Sequence, residues 1–183
     1  MSKETWETRQ ANRKLMVNPT LYIFSGLPAS GKTTLARLLS QQINAFYLRI
    51  DTVEQGLRDL CDYKVEGEGY RLSYRLAHDN LKLAHSVIAD SCNPIALTRT
   101  EWKAVATATN ANYVNIEVYC SDENEHKYRV DHRECTIENL QLPSWQQVQN
   151  RHYDKWEEAV IRIDTFAKTP SESLEELIKK LEL

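Results

Sequence analysis

The sequence predicts a three-layer α/β sandwich, a parallel sheet with helices packed on both faces. Three observations lead there. Short apolar runs bounded by turn residues recur along the chain, helical patterns of apolar residues separate them, and the first run leads into a glycine-containing turn. Continuous apolar runs suit strands buried on both faces, and strands alternating with helices favour right-handed crossovers within one sheet.

The elements follow in order. The first eighteen residues are polar and weakly amphipathic, so residues 1–19 read as an extension carrying a short helix on the outside, ended by Asn18-Pro19. Leu21–Phe24 is the first strand, and Leu35, Leu38, Leu39 and Ile43 follow at helical spacing. Ala45–Ile50 and His85–Ala89 read as the second and third strands, Tyr113–Cys120 and Val160–Ile163 as the fourth and fifth. Helices are expected over Tyr70–Ala84, over the alanine-rich Thr100–Thr109, and over Ser171–Leu183, where Glu175 reaches Lys179.

A chain of 183 residues is about one domain's worth. With 23 basic and 26 acidic residues it carries a net charge of −3, which argues against nucleic acid as the main partner. Cys61, Cys92, Cys120 and Cys135 stand singly with no C-x-x-C pair, so zinc of the finger type has no support. The polar first residues do not resemble a signal peptide, and no apolar run nears the ~20 residues of a membrane span. A cytoplasmic protein with reduced, mostly buried thiols is expected, as a monomer or homodimer.

Residues Gly26-Leu27-Pro28-Ala29-Ser30-Gly31-Lys32-Thr33 match G-x-x-x-x-G-K-[ST]. Such a match arises by chance in roughly 1% of chains this long. Here a buried strand precedes it and an amphipathic helix follows, the surround that the phosphate loop, or Walker A motif, needs. Backbone N–H groups from Gly26, Leu27, Ala29, Ser30, Gly31, Lys32, Thr33 and Thr34 would cradle phosphate oxygens at a helix N-terminus. Pro28 has no N–H and belongs at the crest. Lys32 should reach the terminal phosphates, and the Thr33 hydroxyl should bind Mg²⁺.

Two carboxylates close strands. Asp51, after Arg49-Ile50, reads as the base that orients an acceptor hydroxyl; the alternative is a helix N-cap, with Glu54 completing a capping box. Asp90 ends an apolar run, as a Walker B carboxylate does, and would hold Mg²⁺ through water; the alternative is a turn residue before Asn93-Pro94. Phosphoryl transfer also needs cations that close over the reacting phosphate. The polar stretch after the fourth strand places Arg129 and Arg133 at i,i+4, which fits either a lid over residues 122–143 or a solvated helix with surface ion pairs. Arg99, in a loop leading into a helix, is a candidate contact for an anion or the acceptor. Arg151 could stack on the nucleotide base or pair with acids on its own helix. The histidines form no metal set, and Trp6, Trp102, Trp145 and Trp156 read as packing residues.

Taken together, G-L-P-A-S-G-K-T (Gly26–Thr33), I-D-T-V (Ile50–Val53), V-I-A-D-S-C-N-P (Val87–Pro94), the Arg129/Arg133 pair and the later Pro143–Tyr153 segment resemble the small P-loop kinases of the AAA-33 or zeta-toxin-like group. Chloramphenicol phosphotransferase, gluconate kinase and the kinase domain of polynucleotide kinase share this pattern, and an adenylylsulfate-kinase-like label is also used for such chains. The resemblance covers residues 20–183. It implies a five-stranded parallel sheet in the order 2-3-1-4-5, ATP with Mg²⁺, and a hydroxyl acceptor. By that likeness Asp51 is the hydroxyl-activating acid, with Arg129 and Arg133 in the lid. Relatives often have Asp-Ala-Thr-Asn where this chain has Asp90-Ser91-Cys92-Asn93.

The expected function is therefore transfer of the γ-phosphoryl group of Mg-ATP to a hydroxyl of a small molecule. A nucleotide-gated module without an acceptor and a nucleic-acid end kinase are the alternatives. The second needs a basic groove, which Asp59, Asp62, Glu66 and Glu68 in the presumed acceptor region disfavour.

Overall fold

The computed structural model describes residues 18–183; the extension helix expected before Asn18 and Trp6 lie outside the described residues. Five strands form one sheet: β1 (Thr20–Ser25), β2 (Phe46–Arg49), β3 (Val87–Asp90), β4 (Asn112–Tyr119) and β5 (Ile161–Asp164). The helices among the described residues are α1 (Lys32–Ile43), α2 (Ile50–Cys61), α3 (Glu68–Lys82), α4 (Ala96–Thr109), α5 (Glu123–His132), α6 (Trp145–Gln149) and α7 (Pro170–Leu181). The sheet order is β2-β3-β1-β4-β5 and every pairing is parallel, with Phe24 opposite Asp90 and Ser25 opposite Glu117. This is the P-loop NTPase-like three-layer sandwich with a helical lid.

Period-two alternation in β1 sorts the core into two layers. Leu21 and Ile23 point to one face and pack with Ala77, Leu81, Trp102 and Ala106 of α3 and α4. Tyr22 and Phe24 point to the other and pack with Leu35 and Leu39 of α1 and Leu177 of α7. Both layers meet at a central strand that is buried from Leu21 to Ser25, so β1 has no polar face and reads as an unbroken apolar run.

Several boundaries differ from the sequence expectation, each for a local reason. β2 stops at Arg49 and Ile50 opens α2, so Asp51 lies in a helix's first turn instead of at a strand end. Arg49 occupies the N-cap position with no side-chain capping bond, and the expected Asp51/Glu54 capping box is absent; Glu54 instead accepts from Arg58 at 3.2 Å. α4 starts at Ala96, four residues before Thr100, because Asp154 arrives from far along the chain and accepts from the Ala96 amide at 2.7 Å. α7 is capped by Thr169 and Glu172 in a reciprocal capping box, with Pro170 in its first turn. The thiols are not mostly buried: Cys61 and Cys135 are exposed, and Cys92 and Cys120 half-buried. They lie in loops or at element ends, away from the two apolar layers.

Gly26 is the position where the backbone admits no other residue. Its φ is +143°, and a Cβ there would collide with the Val118 carbonyl oxygen on β4. Gly26→Ala is expected to destabilise the fold by about 3 kcal/mol or more, read as a lower midpoint in urea unfolding.

Candidate functional site

The loop between β1 and α1 is an inward-facing turn. Ala29 adopts φ 64° at the crest, and Gly31, at φ 92°, occupies the N-cap of α1 without a side-chain cap. The first amides of α1 therefore face the loop's concavity, where the helix dipole favours an anion. Thr165, just past β5, braces the loop from outside. Its hydroxyl donates to the Ser30 carbonyl at 2.9 Å, and its methyl sits 3.1 Å from where a Cβ on Gly31 would lie.

Behind the loop is a buried charge cluster. Asp90, only 1% exposed at the end of β3, accepts from Lys32 Nζ at 3.2 Å, Thr33 Oγ1 at 3.3 Å and Tyr47 Oη at 2.7 Å. Burial pushes the Lys32 pKa down, but the carboxylates of Asp90 and Asp51 outweigh it, so the ammonium's pKa lies above its ordinary value. Burial and the Asp90 carboxylate together raise the Tyr47 pKa, which keeps its hydroxyl a donor. Asp51 has a different environment. Its side chain is 46% exposed, with Arg49 Nε at 3.9 Å.

A cavity of about 660 Å³ opens in front of the loop and extends to both sheet edges. On the β2–β3 side it is lined by Asp51, Glu54 and Arg58 of α2, by Cys92 and by Arg151. On the β5 side it is lined by Thr165, Lys168, Pro170 and Ser173. Residues 133–136 and 140–143 also line it. Arg49 Nη1 donates to Thr136 at 2.9 Å and Asn139 donates to Asp59 at 3.5 Å, so this stretch is strapped to β2 and α2.

The two lid arginines differ. Arg129 pairs with Glu125 at 2.9 Å, the surface-type contact, but it also donates to the Thr165 hydroxyl at 2.8 Å and carbonyl at 3.1 Å, clamping α5 to β5. Arg133 is the C-cap of α5: its amide still donates to the Arg129 carbonyl at 3.0 Å, its backbone then turns extended, and both arginines line the cavity. Its Nε and Nη2 are buried without a hydrogen-bond partner among the described residues, and burial pushes its pKa down while Asp51 opposes the shift. A guanidinium stays protonated under such a shift, so the cation is left facing the cavity.

Arg99 does not line the cavity. It lies within α4 and is 8% exposed, donating to the carbonyls of Asn93, Pro94 and Lys155 and lying 3.9 Å over the Trp156 ring. Those contacts hold the chain after α6 against the start of α4, together with the Asp154 amide donating to the Pro94 carbonyl at 2.8 Å. Arg151, just before this docked segment, lines the cavity beside the Cys92 thiol. Burial raises the Glu54 pKa against the pull of Arg58, and burial raises the Cys92 pKa against Lys32 and Arg151.

Sequence reasoning missed Tyr47, Thr165 and His126. Tyr47 and Arg49 share one face of β2 by alternation, which was a usable signal. His126 was not legible: its Nε2 lies 2.8 Å from the Pro28 carbonyl, so that nitrogen carries the proton, and its ring meets Trp145 edge-on at 5.3 Å. For a metal, no group of three or more His, Cys, Asp or Glu side chains converges among the described residues. The Thr33 hydroxyl and the Asp90 carboxylate are hard oxygen donors beside the loop. That set suits Mg²⁺, which keeps waters and phosphate oxygens in its shell. No helix among the described residues is long and apolar enough to cross a membrane.

The sheet order, the loop and the helical lid together define a P-loop kinase-like domain. The AAA_33 family model, described as an AAA domain, matches residues 21–155, and the chain belongs to that family. No curated protein sequence matches the chain. Solved structures share the fold at low identity. The Mycobacterium tuberculosis APS kinase CysC, in complex with AMPPNP and APS, is 17% identical with a TM-score of 0.65, over 92% of this chain and 100% of that one. A gluconokinase from Sinorhizobium meliloti is 14% identical with a TM-score of 0.60, over 91% and 98%. Chaetomium thermophilum Kti12, in complex with ADP-AlF3, is 20% identical with a TM-score of 0.63, over 88% and 97%.

Truncating Arg99 to Ala removes a donor from the carbonyls of Asn93, Lys155 and Pro94, of which Pro94 keeps the Asp154 amide, and strips the cation from Trp156. A loss of about 2–4 kcal/mol in urea unfolding is expected, from a residue outside the cavity.

Proposed function

We propose that the protein transfers the γ-phosphoryl group of Mg-ATP to a hydroxyl of a small molecule. The observation that carries this reading is the contrast between two aspartates beside one loop. Asp90 is sealed and saturated with donors, whereas Asp51 is half-exposed on the cavity. A carboxylate that must accept a substrate proton has to be reachable, and one that steadies a cation does not.

The chemistry follows from placement. The amides from Gly26 to Thr34 hold the phosphate tail, and Lys32, already steered by Asp90, reaches its terminal oxygens. Because Lys32 and Thr33 contact Asp90 on the β3 side, the reactive end of the tail faces β3 and α2. The nucleoside then runs toward Thr165, Lys168 and Pro170. Arg151 is therefore assigned here to the acceptor end, in place of the base stacking or same-helix ion pairing between which the sequence left it. Thr33 and Asp90, the latter through water, would hold Mg²⁺, which neutralises phosphate charge when bound. Asp51 accepts the proton of the attacking hydroxyl, and Arg133 stabilises the charge that develops on the transferring group.

The strapped stretch supports a small acceptor over a polymer end, since residues 133–143 cross the β2–β3 side and are tied to α2 by Asn139 and to β2 by Arg49. The family match and the likeness to kinases solved with AMPPNP or named for sugar acids support a phosphotransferase. The lid over residues 122–143 and the domain over 20–183 are part of the same reading.

Asp51→Asn is expected to leave ATP affinity within about twofold and to lower transfer by ~10²–10⁴-fold. Isothermal titration with ATP, beside a labelled-ATP transfer assay over a metabolite library, checks both. Full transfer in the variant would remove Asp51 from the role, and tight ATP binding with no acceptor phosphorylated would favour the nucleotide-gated module.

A further inference from the structure

Seven cationic side chains line the cavity against three carboxylates, in a chain whose net charge is −3. On the reading above, Lys32, Arg129 and Lys168 sit along the nucleotide. Arg49, Arg58, Arg133 and Arg151 remain, all on the β2–β3 side, facing Asp51 and Glu54, with Glu134 on the exposed rim.

Their existing partners separate them. Arg58 is held by Glu54 and Gln55, and Arg49 by Thr136 with Asp51 at 3.9 Å. Arg133 and Arg151 form no ion pair within 4.0 Å among the described residues. Both line the one cavity, together with Asp51 and Glu54. Arg133 has Nε and Nη2 buried without a hydrogen-bond partner among the described residues, and Arg151 is exposed at the cavity with no carboxylate in contact, so an entering anion would find both guanidinium groups available. The terminal phosphate can engage Arg133, which stands next to the reacting group. Arg151 is set farther round, beside the Cys92 thiol, just before the segment that Asp154 and Arg99 dock onto α4.

Resting on the kinase reading, we infer that the acceptor is a small hydroxyl compound bearing a second, oxyanionic group, and that Arg151 anchors this group while Asp51 receives the hydroxyl. A guanidinium fork presents paired N–H donors that match carboxylate, phosphate or sulfate oxygens. Anchoring at one end fixes the hydroxyl's approach to Asp51 at the other, which is how binding remote from the reacting atoms raises turnover.

The test is a calorimetric titration with Mg²⁺ and AMPPNP first brought to saturation, so that the loop is filled. Inorganic sulfate and malonate are then added at constant ionic strength, with glycerol as the neutral control. Sulfate or malonate should bind at a further site and glycerol should not, and Arg151→Gln should weaken the anion at least tenfold with AMPPNP affinity unchanged. Sulfate binding alone identifies a tetrahedral oxyanion as the anchor group, and malonate binding alone a carboxylate. Arg151→Lys, which keeps the charge but loses the fork, should fall between the two proteins, and a matching melting temperature shows that the variants fold. Absence of anion binding to the AMPPNP-loaded protein, equal binding by Arg151→Gln, or glycerol binding as well as the anions overturns the inference. Failure of AMPPNP itself to bind is a separate result, which overturns the kinase reading and this inference with it.

Discussion

A buried carboxylate at the end of β3 organises the centre of this protein. Removing Asp90 from water costs several kcal/mol unless its charge is met, and Lys32, Thr33 and Tyr47 meet it from α1 and β2. The loop that precedes α1 is tied in by the same means, because the Gly26 amide donates to the Cys92 carbonyl two residues past Asp90. The relation is mutual. Without Asp90 the Lys32 ammonium would be a buried unpaired cation, and without Lys32 the carboxylate would have lost its counter-charge. The side chains around the loop are thus held in place before any ligand arrives, which removes ordering cost from binding.

Around that centre the sheet order distributes the tasks. With β1 in the middle, the loop faces a crevice whose flanks come from distant parts of the chain: α2 after edge strand β2, and the turn after edge strand β5. Parallel register brings the C-terminal ends of β3, β1 and β4 to one level, as the pairing of Phe24 with Asp90 and Ser25 with Glu117 records. The lid spans both flanks. Arg129 grips Thr165 on one side, and the stretch after Arg133 reaches Arg49 and Asp59 on the other.

The parts legible in the sequence were those governed by local rules. An apolar run with no polar face marked β1, alternation of strand and helix marked the class, and the spacing from Gly26 to Thr33 marked the loop. What escaped depends on contacts between residues far apart in the chain. Nothing near Ala96 announces that Asp154 will cap it, so α4 seemed to start later and Arg99 seemed free in a loop. Nothing near Arg151 shows that the following residues dock on that helix, so its side of the cavity could not be read. Thr165 and His126 matter because they touch the Ser30 and Pro28 carbonyls, some 135 and 98 residues away. The half-exposed thiols were misjudged because the four cysteines fall outside the apolar layers, which composition alone does not reveal.

His126 links two parts that would otherwise move separately, since its ring donates to the loop crest at Pro28 and packs against the indole of Trp145. A displacement of the crest would thus be passed to Trp145 and the start of α6, so filling the loop and shifting that helix are mechanically joined.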